Sequence, residues 1–299
     1  VYNSPDFITK SGLRNDFNIN FKNLNSLGKN NSEYKSSPQI ELMSMINFNS
    51  TLPMTKKDAN YKNYLTPKIS LKINPHDMKN YSTSDRKIST ENIFNNNRLG
   101  LEDTLESGKS LTIGIDYKRE KIKDINKFFE MKLATVVRDK EETFIPTNST
   151  INKKNSNLFG SISNNFSEHL NIDYEFAIDN NFEIFEYNNF STTVKFNDFE
   201  TKFNLIEENG AMGDSNVFEN TSTFTIDENN YVSFKTGRNR RIDLTEYYDL
   251  VYEYRNDCLT AGIKYKKTYY EDRDLKPAEN VFFTITLYPL TTFEQKIDQ

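Results

Sequence analysis

The sequence predicts an all-β chain: an antiparallel up-and-down meander of about fourteen strands that crosses a membrane as a β-barrel. Three observations lead there. Apolar and polar residues alternate with period two through run after run, as side chains do on the two faces of a strand. The runs reach about 9–11 residues, the length a tilted membrane strand needs, where soluble strands usually run about 5–6. Short connections alternate with long polar ones, and Tyr and Phe recur near strand ends, as at the two interfaces of an outer-membrane barrel.

The C-terminal block carries the pattern most plainly. In the run 259–266, Leu259, Ala261, Ile263 and Tyr265 share one face, opposite Thr260, Gly262, Lys264 and Lys266. In the run 281–288, Val281, Phe283, Ile285 and Leu287 share a face against Phe282, Thr284, Thr286 and Tyr288. Upstream, 13–24 sets Phe17, Ile19 and Phe21 on one side, and 40–51 aligns Leu42, Ser44, Ile46 and Phe48 before stopping at Pro53. The run 68–73 opposes Ile69, Leu71 and Ile73 to Lys68, Ser70 and Lys72. The runs 111–118 and 128–137 follow, then 158–165 and 170–180, where Leu170, Ile172, Tyr174, Phe176 and Ile178 alternate with polar residues. Runs at 190–196, 199–206, 221–227, 231–237 and 246–255 complete the set. Two long polar connections, 76–109 with a short helical turn around 90–96 and 138–157, are expected on an exposed rim, where loop length costs little entropy.

Composition narrows the class further. The 299 residues are 35% hydrophobic with a net charge of −5, and Lys and Arg are dispersed rather than clustered, so a nucleic-acid surface is not indicated. No run of 18 apolar residues exists, which excludes a membrane-spanning helix. The chain opens on Val1 with neither an initiator Met nor a signal peptide, as expected of a processed chain or a piece of a longer one. A single cysteine, Cys258, is either a lone thiol or half of a disulfide whose mate lies outside this chain.

Enzyme chemistry is not expected. His76 and His169 lie far apart, and no G-x-S-x-G, P-loop or G-x-G-x-x-G occurs. The run Glu271-Asp272-Arg273-Asp274 reads as self-neutralising surface charge, and Asp173 with Glu175 as part of a wet wall rather than a catalytic pair. No cofactor or metal is called for.

Alternation by itself leaves open which face meets water. A porin or transporter barrel complete in itself and a soluble β-sandwich adhesin both share the pattern. In a barrel, the polar faces line an aqueous lumen. The candidates for that wall are Lys68, Lys72, Asp116, Lys118, Glu130 and Lys132 in the first half, and Asp173, Glu175, Glu200, Lys202, Glu253, Lys264 and Lys266 in the second.

Residues 248–259 (YDLVYEYRNDCL), with Glu271–Asp274 and 282–287 (FFTITL), resemble the C-terminus of the LptD family, the lipopolysaccharide-assembly barrels of the Gram-negative outer membrane. Leu65-Thr66-Pro67 is similar too, as is the stretch from Ile93-Phe94 through Asn97-Arg98-Leu99-Gly100 to Glu106-Ser107-Gly108. The resemblance runs over 38–290 and is most specific in its last 45 residues. It implies a barrel of twenty-six strands, of which residues 1–299 would be the C-terminal half. A periplasmic jellyroll and the first strands would lie upstream. It implies lipopolysaccharide as cargo, delivered by a periplasmic Lpt bridge through that missing N-terminal domain, and an LptE-like lipoprotein plugging the lumen. Acyl chains would leave into outer-membrane lipid between the first and last strands, the last being Val281, Phe283, Ile285 and Leu287. Family members often carry adjacent cysteines where this chain has Asp257-Cys258, which implies a disulfide from Cys258 to the periplasmic domain.

Overall fold

A computed structural model describes residues 1–28, 36–269, 278–289 and 291–297. The segment Glu271-Asp272-Arg273-Asp274 lies outside the described residues. Among those residues the chain is all-β apart from two single 3-10 turns, Thr147–Ser149 and Gly210–Met212.

Eighteen strands follow one another: β1 (Tyr2–Asn3), β2 (Phe7–Ile8), β3 (Arg14–Ser26), β4 (Gln39–Thr51), β5 (Met54–Lys57), β6 (Tyr61–Asn74), β7 (Gly108–Lys121), β8 (Asp124–Arg138) and β9 (Leu158–Ser167). Then come β10 (Leu170–Ile178), β11 (Phe185–Phe196), β12 (Phe199–Glu208), β13 (Ser215–Thr225), β14 (Asn230–Asn239), β15 (Leu244–Arg255), β16 (Leu259–Thr268), β17 (Ala278–Leu287) and β18 (Thr291–Ile297). All belong to one antiparallel meander sheet. The fourteen predicted strands are present, several of them longer than alternation suggested. β1, β2, β5 and β18 are additional: three are too short to show a period, and the last is too polar.

Pro67 sits inside β6, where alternation marked only 68–73. It is tolerated because the neighbouring edge breaks there. β4 pairs with β6 from Thr51↔Lys68 onward, β5 resumes at Met54↔Leu65, and Leu52 N–H donates to the Pro67 carbonyl at 3.0 Å. The predicted final strand is also corrected. Val281, Phe283, Ile285 and Leu287 belong to β17, which is flanked by β16 and by β18, so β18 is the last strand among the described residues.

The chain divides into two compact units, 1–162 with 175–187 and 209–213, and 163–174 with 188–208 and 214–299. In the first, the apolar strand faces look outward: Leu42 is 65% exposed and Ile46, Phe48, Ile69, Leu71 and Ile113 are exposed too. The opposite faces are buried and mostly polar or small: Met45, Asn47, Ser70, Lys72, Thr112, Ala134 and Val136. What covers them is the connections. Met78, Ile88, Ile93, Leu99 and Leu101 from the first, and Ile145 and Ile151 from the second, form the buried cluster with Ala134, Val136 and Phe159. The expectation of exposed rim loops therefore fails for much of 76–109 and 138–157. Apolar residues inside a polar loop bury themselves where they find a wall, and the helical turn expected at 90–96 is a run of tight turns instead.

The second unit is built on the same two-sided rule. Phe224, Phe234, Leu250, Tyr252, Ile263 and Phe283 share an exposed apolar face, while Asp249 on the other face is buried. The strands meet at short turns at one end: Asn197 takes a left-handed φ of 51° in the β11–β12 turn, a conformation asparagine tolerates. Because exposed apolar faces do not pack on one another, a soluble sandwich is ruled out.

The arrangement is testable by charge placement. Leu250→Arg is expected to cost about 2–4 kcal/mol if its guanidinium lies near the bilayer midplane, whereas Ser233→Arg on the polar face should stay within about 0.5 kcal/mol. Equilibrium unfolding in phospholipid vesicles measures both, and equal costs would refute the assignment of faces.

Candidate functional site

The polar face of the first unit carries a continuous ladder of charge. Register sets Asp116 between Thr66 and Lys132, and Lys118 between Tyr64 and Glu130. Lys68 pairs with Asp116, and Lys132 reaches Glu91 at 2.6 Å and Glu130 at 3.6 Å. Lys118 lies 3.5 Å from Glu120. These six predicted wall residues, Lys72 among them, are thus on one face, and all but Lys72 keep some solvent contact.

Lys72 is buried, and its ammonium donates to the carbonyls of Asn95 and Asn96. It marks where the segment 75–107 docks. Around it, Ser70 donates to Asn47 at 2.8 Å, and Asn47 donates to Asn96 at 2.7 Å. Phe94 lies against Gly114: a Cβ there would come within 2.7 Å of the ring and 2.9 Å of the Leu133 carbonyl, so only glycine admits the insert at that depth.

The docking is held by a buried ion network that alternation could not reveal. Arg98 and Arg138 have side chains 0% exposed, and Glu106 between them 6%. Arg98 donates to Glu106 at 2.8 Å, to the Thr112 hydroxyl at 2.9 Å and to the Ser110 hydroxyl at 3.0 Å. Arg138, at the end of β8, also bonds Glu106, and it donates to the Ser107 carbonyl at 2.9 Å and to the Ile151 carbonyl. One guanidinium therefore ties a strand to both connections. Burial alone would raise the Glu106 pKa, but the two guanidinium groups hold its carboxyl well below the usual carboxylate range. Asp103, in the same segment, is likewise held low: burial opposes ionisation, and hydrogen bonds from Lys79 and Tyr81 overcome it. Residues 97–100 and 106–108 carried part of the family resemblance. That was the available signal, and it pointed to a family rather than to a contact.

In the second unit the predicted wall residues fall into two groups. Asp173, Glu200 and Lys202 line a polar hollow of about 380 Å³ with Lys195, which bridges to Glu200 at 2.8 Å. Toward the chain end, Lys264 pairs with Asp249 at 3.0 Å, Lys266 stands opposite Asp249 in register, and Glu253 pairs with Arg255. Glu175 belongs to the first unit, two residues before buried Ala177 on the same strand face. Cys258 is exposed in the β15–β16 turn, at the end of the sheet where connections are short. Among the described residues no cluster of His, Cys, Asp and Glu could hold a metal ion.

Glu106→Gln removes the charge that both arginines share, leaving cations buried without a counter-ion. A loss of about 3–5 kcal/mol is expected, read as lost hydrogen-exchange protection across 95–107. The pH dependence has a definite sign. Because the folded Glu106 pKa is depressed, its contribution is complete above about pH 4.3, the ordinary glutamate value, and is lost as pH falls from there toward the folded value. Protection of the insert should weaken on acidification in the wild type, with that component absent in the E106Q variant.

A sequence model of the LptD family, described as LPS transport system D, matches residues 7–207. No curated protein matches the chain. Among solved structures, one mutant of the Rh. blastica porin aligns at 7% identity with a TM-score of 0.40, covering 93% of this chain and 92% of that one. A second mutant of the same porin aligns at 9% identity and 0.39, again covering 93% and 92%. These likenesses are too distant to add to the fold already described. The family match contains the docked segment, its ion network and the charge ladder, whereas the C-terminal block lies beyond it. The chain belongs to the LptD family, the LPS transport system D proteins, and is an outer-membrane β-barrel protein of Gram-negative bacteria.

Proposed function

We propose that this chain is part of the translocon that inserts lipopolysaccharide into the outer leaflet. The observation that carries the reading is the family match over 7–207. The physics of the sheet supports it. Lipopolysaccharide has a charged, hydrated saccharide half and an acyl half, and the two sheet faces offer one surface for each: a mixed-charge wall and an apolar face toward lipid.

Residues 1–299 would supply part of one barrel, with further strands and a periplasmic domain contributed from upstream. The wall residues, Lys68, Asp116 and Lys132 in the first unit and Asp173, Lys202 and Lys264 in the second, would solvate the saccharide and offer contacts to an LptE-like plug. Acyl chains would leave between the barrel's terminal strands. In this chain the last described strand is β18 rather than β17. Cys258, at the short-turn end, would bond to the periplasmic domain that receives cargo from the Lpt bridge. The driving force would come from elsewhere; nothing in the reading requires chemistry by this chain.

Depletion of the full-length protein should stop new lipopolysaccharide from reaching the cell surface while other outer-membrane proteins still assemble; intact surface delivery would remove the proposal. In full-length protein isolated without reductant, Cys258 should resist maleimide labelling until reduced. A thiol that labels fully before reduction would exclude the disulfide.

A further inference from the structure

The outer, apolar face of the second unit carries charge toward one end, as the Lys267–Glu279 pair and, apart from it, as a group of arginines. Phe190, Thr192, Phe203, Leu205 and Phe218 floor a groove of about 720 Å³, bordered by Arg238, Arg240 and Asp243. Phe203 and Phe218 stack with centroids 6.0 Å apart, which gives the floor a rigid apolar base. Register fixes Arg238 directly opposite Phe218, on the same face as Phe234 of its own strand and Leu250 and Ile263 of the strands beyond.

The cations occupy the long-connection end of the sheet. Arg238 is the penultimate residue of β14, and Arg240 follows the strand, where its N–H donates to the Asn216 carbonyl at 2.8 Å and fixes the connection beside the groove. Asp243 pairs with Arg238, and Asp214 pairs with Arg241. Among the described residues, Arg240 alone of these three arginines has no carboxylate partner. Two guanidinium groups and one carboxylate leave the rim with a net positive charge.

An arginine facing lipid is costly at the bilayer midplane and nearly free at the interface. Basic side chains at that level, over an apolar trough, match a ligand with acyl chains below and an anionic group above. Arginine, moreover, suits phosphate through its planar fork of donors. We propose that this groove is a binding site for the lipid A part of lipopolysaccharide on the outer wall of the barrel, with acyl chain on Phe203, Leu205 and Phe218 and a lipid A phosphate on Arg240 and Arg238. It rests on the lipopolysaccharide reading for its occupant and adds a site outside the lumen, where a newly delivered molecule would be held in the outer leaflet.

Native mass spectrometry of the full-length protein in detergent tests it, using bis-phosphorylated lipid A, its dephosphorylated counterpart and phosphatidylethanolamine as probes. One lipid A adduct is expected to weaken about tenfold in R240A, the loss of one charge-assisted contact, and less in R240K. The wild type should show the same weakening toward the dephosphorylated lipid, a measurement that needs no variant to fold. Equal lipid A binding by wild type and R240A, equal binding of the dephosphorylated lipid, or phosphatidylethanolamine bound as tightly as lipid A would each overturn the site. An R240A protein that still delivers lipopolysaccharide to the surface but loses the adduct confirms the groove. Unchanged adducts with delivery intact remove the groove and leave the translocon standing.

Discussion

Hydrocarbon offers no partner to a peptide group, so a strand that crosses a membrane has to bond its neighbours along its whole length. The pairing of β6 and β7 follows this constraint, running without a break from Tyr61↔Lys121 to Asn74↔Gly108. With the backbone satisfied in the plane of the sheet, side chains are sorted by what each face touches. Ile69, Leu71 and Ile113 go to the lipid side, while Lys68, Lys72, Asp116 and Lys118 go to the other. The charge ladder is therefore a consequence of the constraint, and its use for cargo is an opportunity the fold provides.

A polar face cannot build a core from its own side chains, and in the first unit it does not. The core comes from residues 75–107 and 139–157, which bring Ile93, Leu99, Ile145 and Ile151 against small wall residues such as Gly114, Ala134 and Val136. Holding polar connections against a wall requires that buried charges be matched. Glu106 shared by Arg98 and Arg138 does this at the point where the two connections converge. A buried ion pair is weak evidence of net stability against an apolar replacement, because desolvation offsets much of the attraction. What it does penalise is misdocking, since a shift of the insert that parts Glu106 from Arg98 and Arg138 leaves charge buried without a partner.

The outer groove departs from the sorting rule with arginines on a lipid-facing surface, as the Lys267–Glu279 pair does on the same face. Such a departure is tolerable at the depth of the head groups, where the penalty is small and anionic partners are abundant. The same depth argument explains why aromatic rings dominate its floor, since they combine large apolar area with few rotatable bonds.

Much of this was legible from residue order. Period-two alternation set the strands, their faces and the side assignment of Lys68, Asp116, Lys132 and Lys264, because alternation is a local property that the pleat enforces residue by residue. Short segments escaped it, as β5 did, for want of enough residues to show a period. The partners of those charges were not legible, nor was the burial of 75–107. Arg98, Glu106 and Arg138 meet across 40 positions of sequence, from 98 to 138, through docking of a segment that has no periodicity to read. Sequence alone determined which residues share a face of each strand. Only the tertiary structure decided which polar residues were to be buried, because that depends on distant segments arriving at the same wall with matching charge.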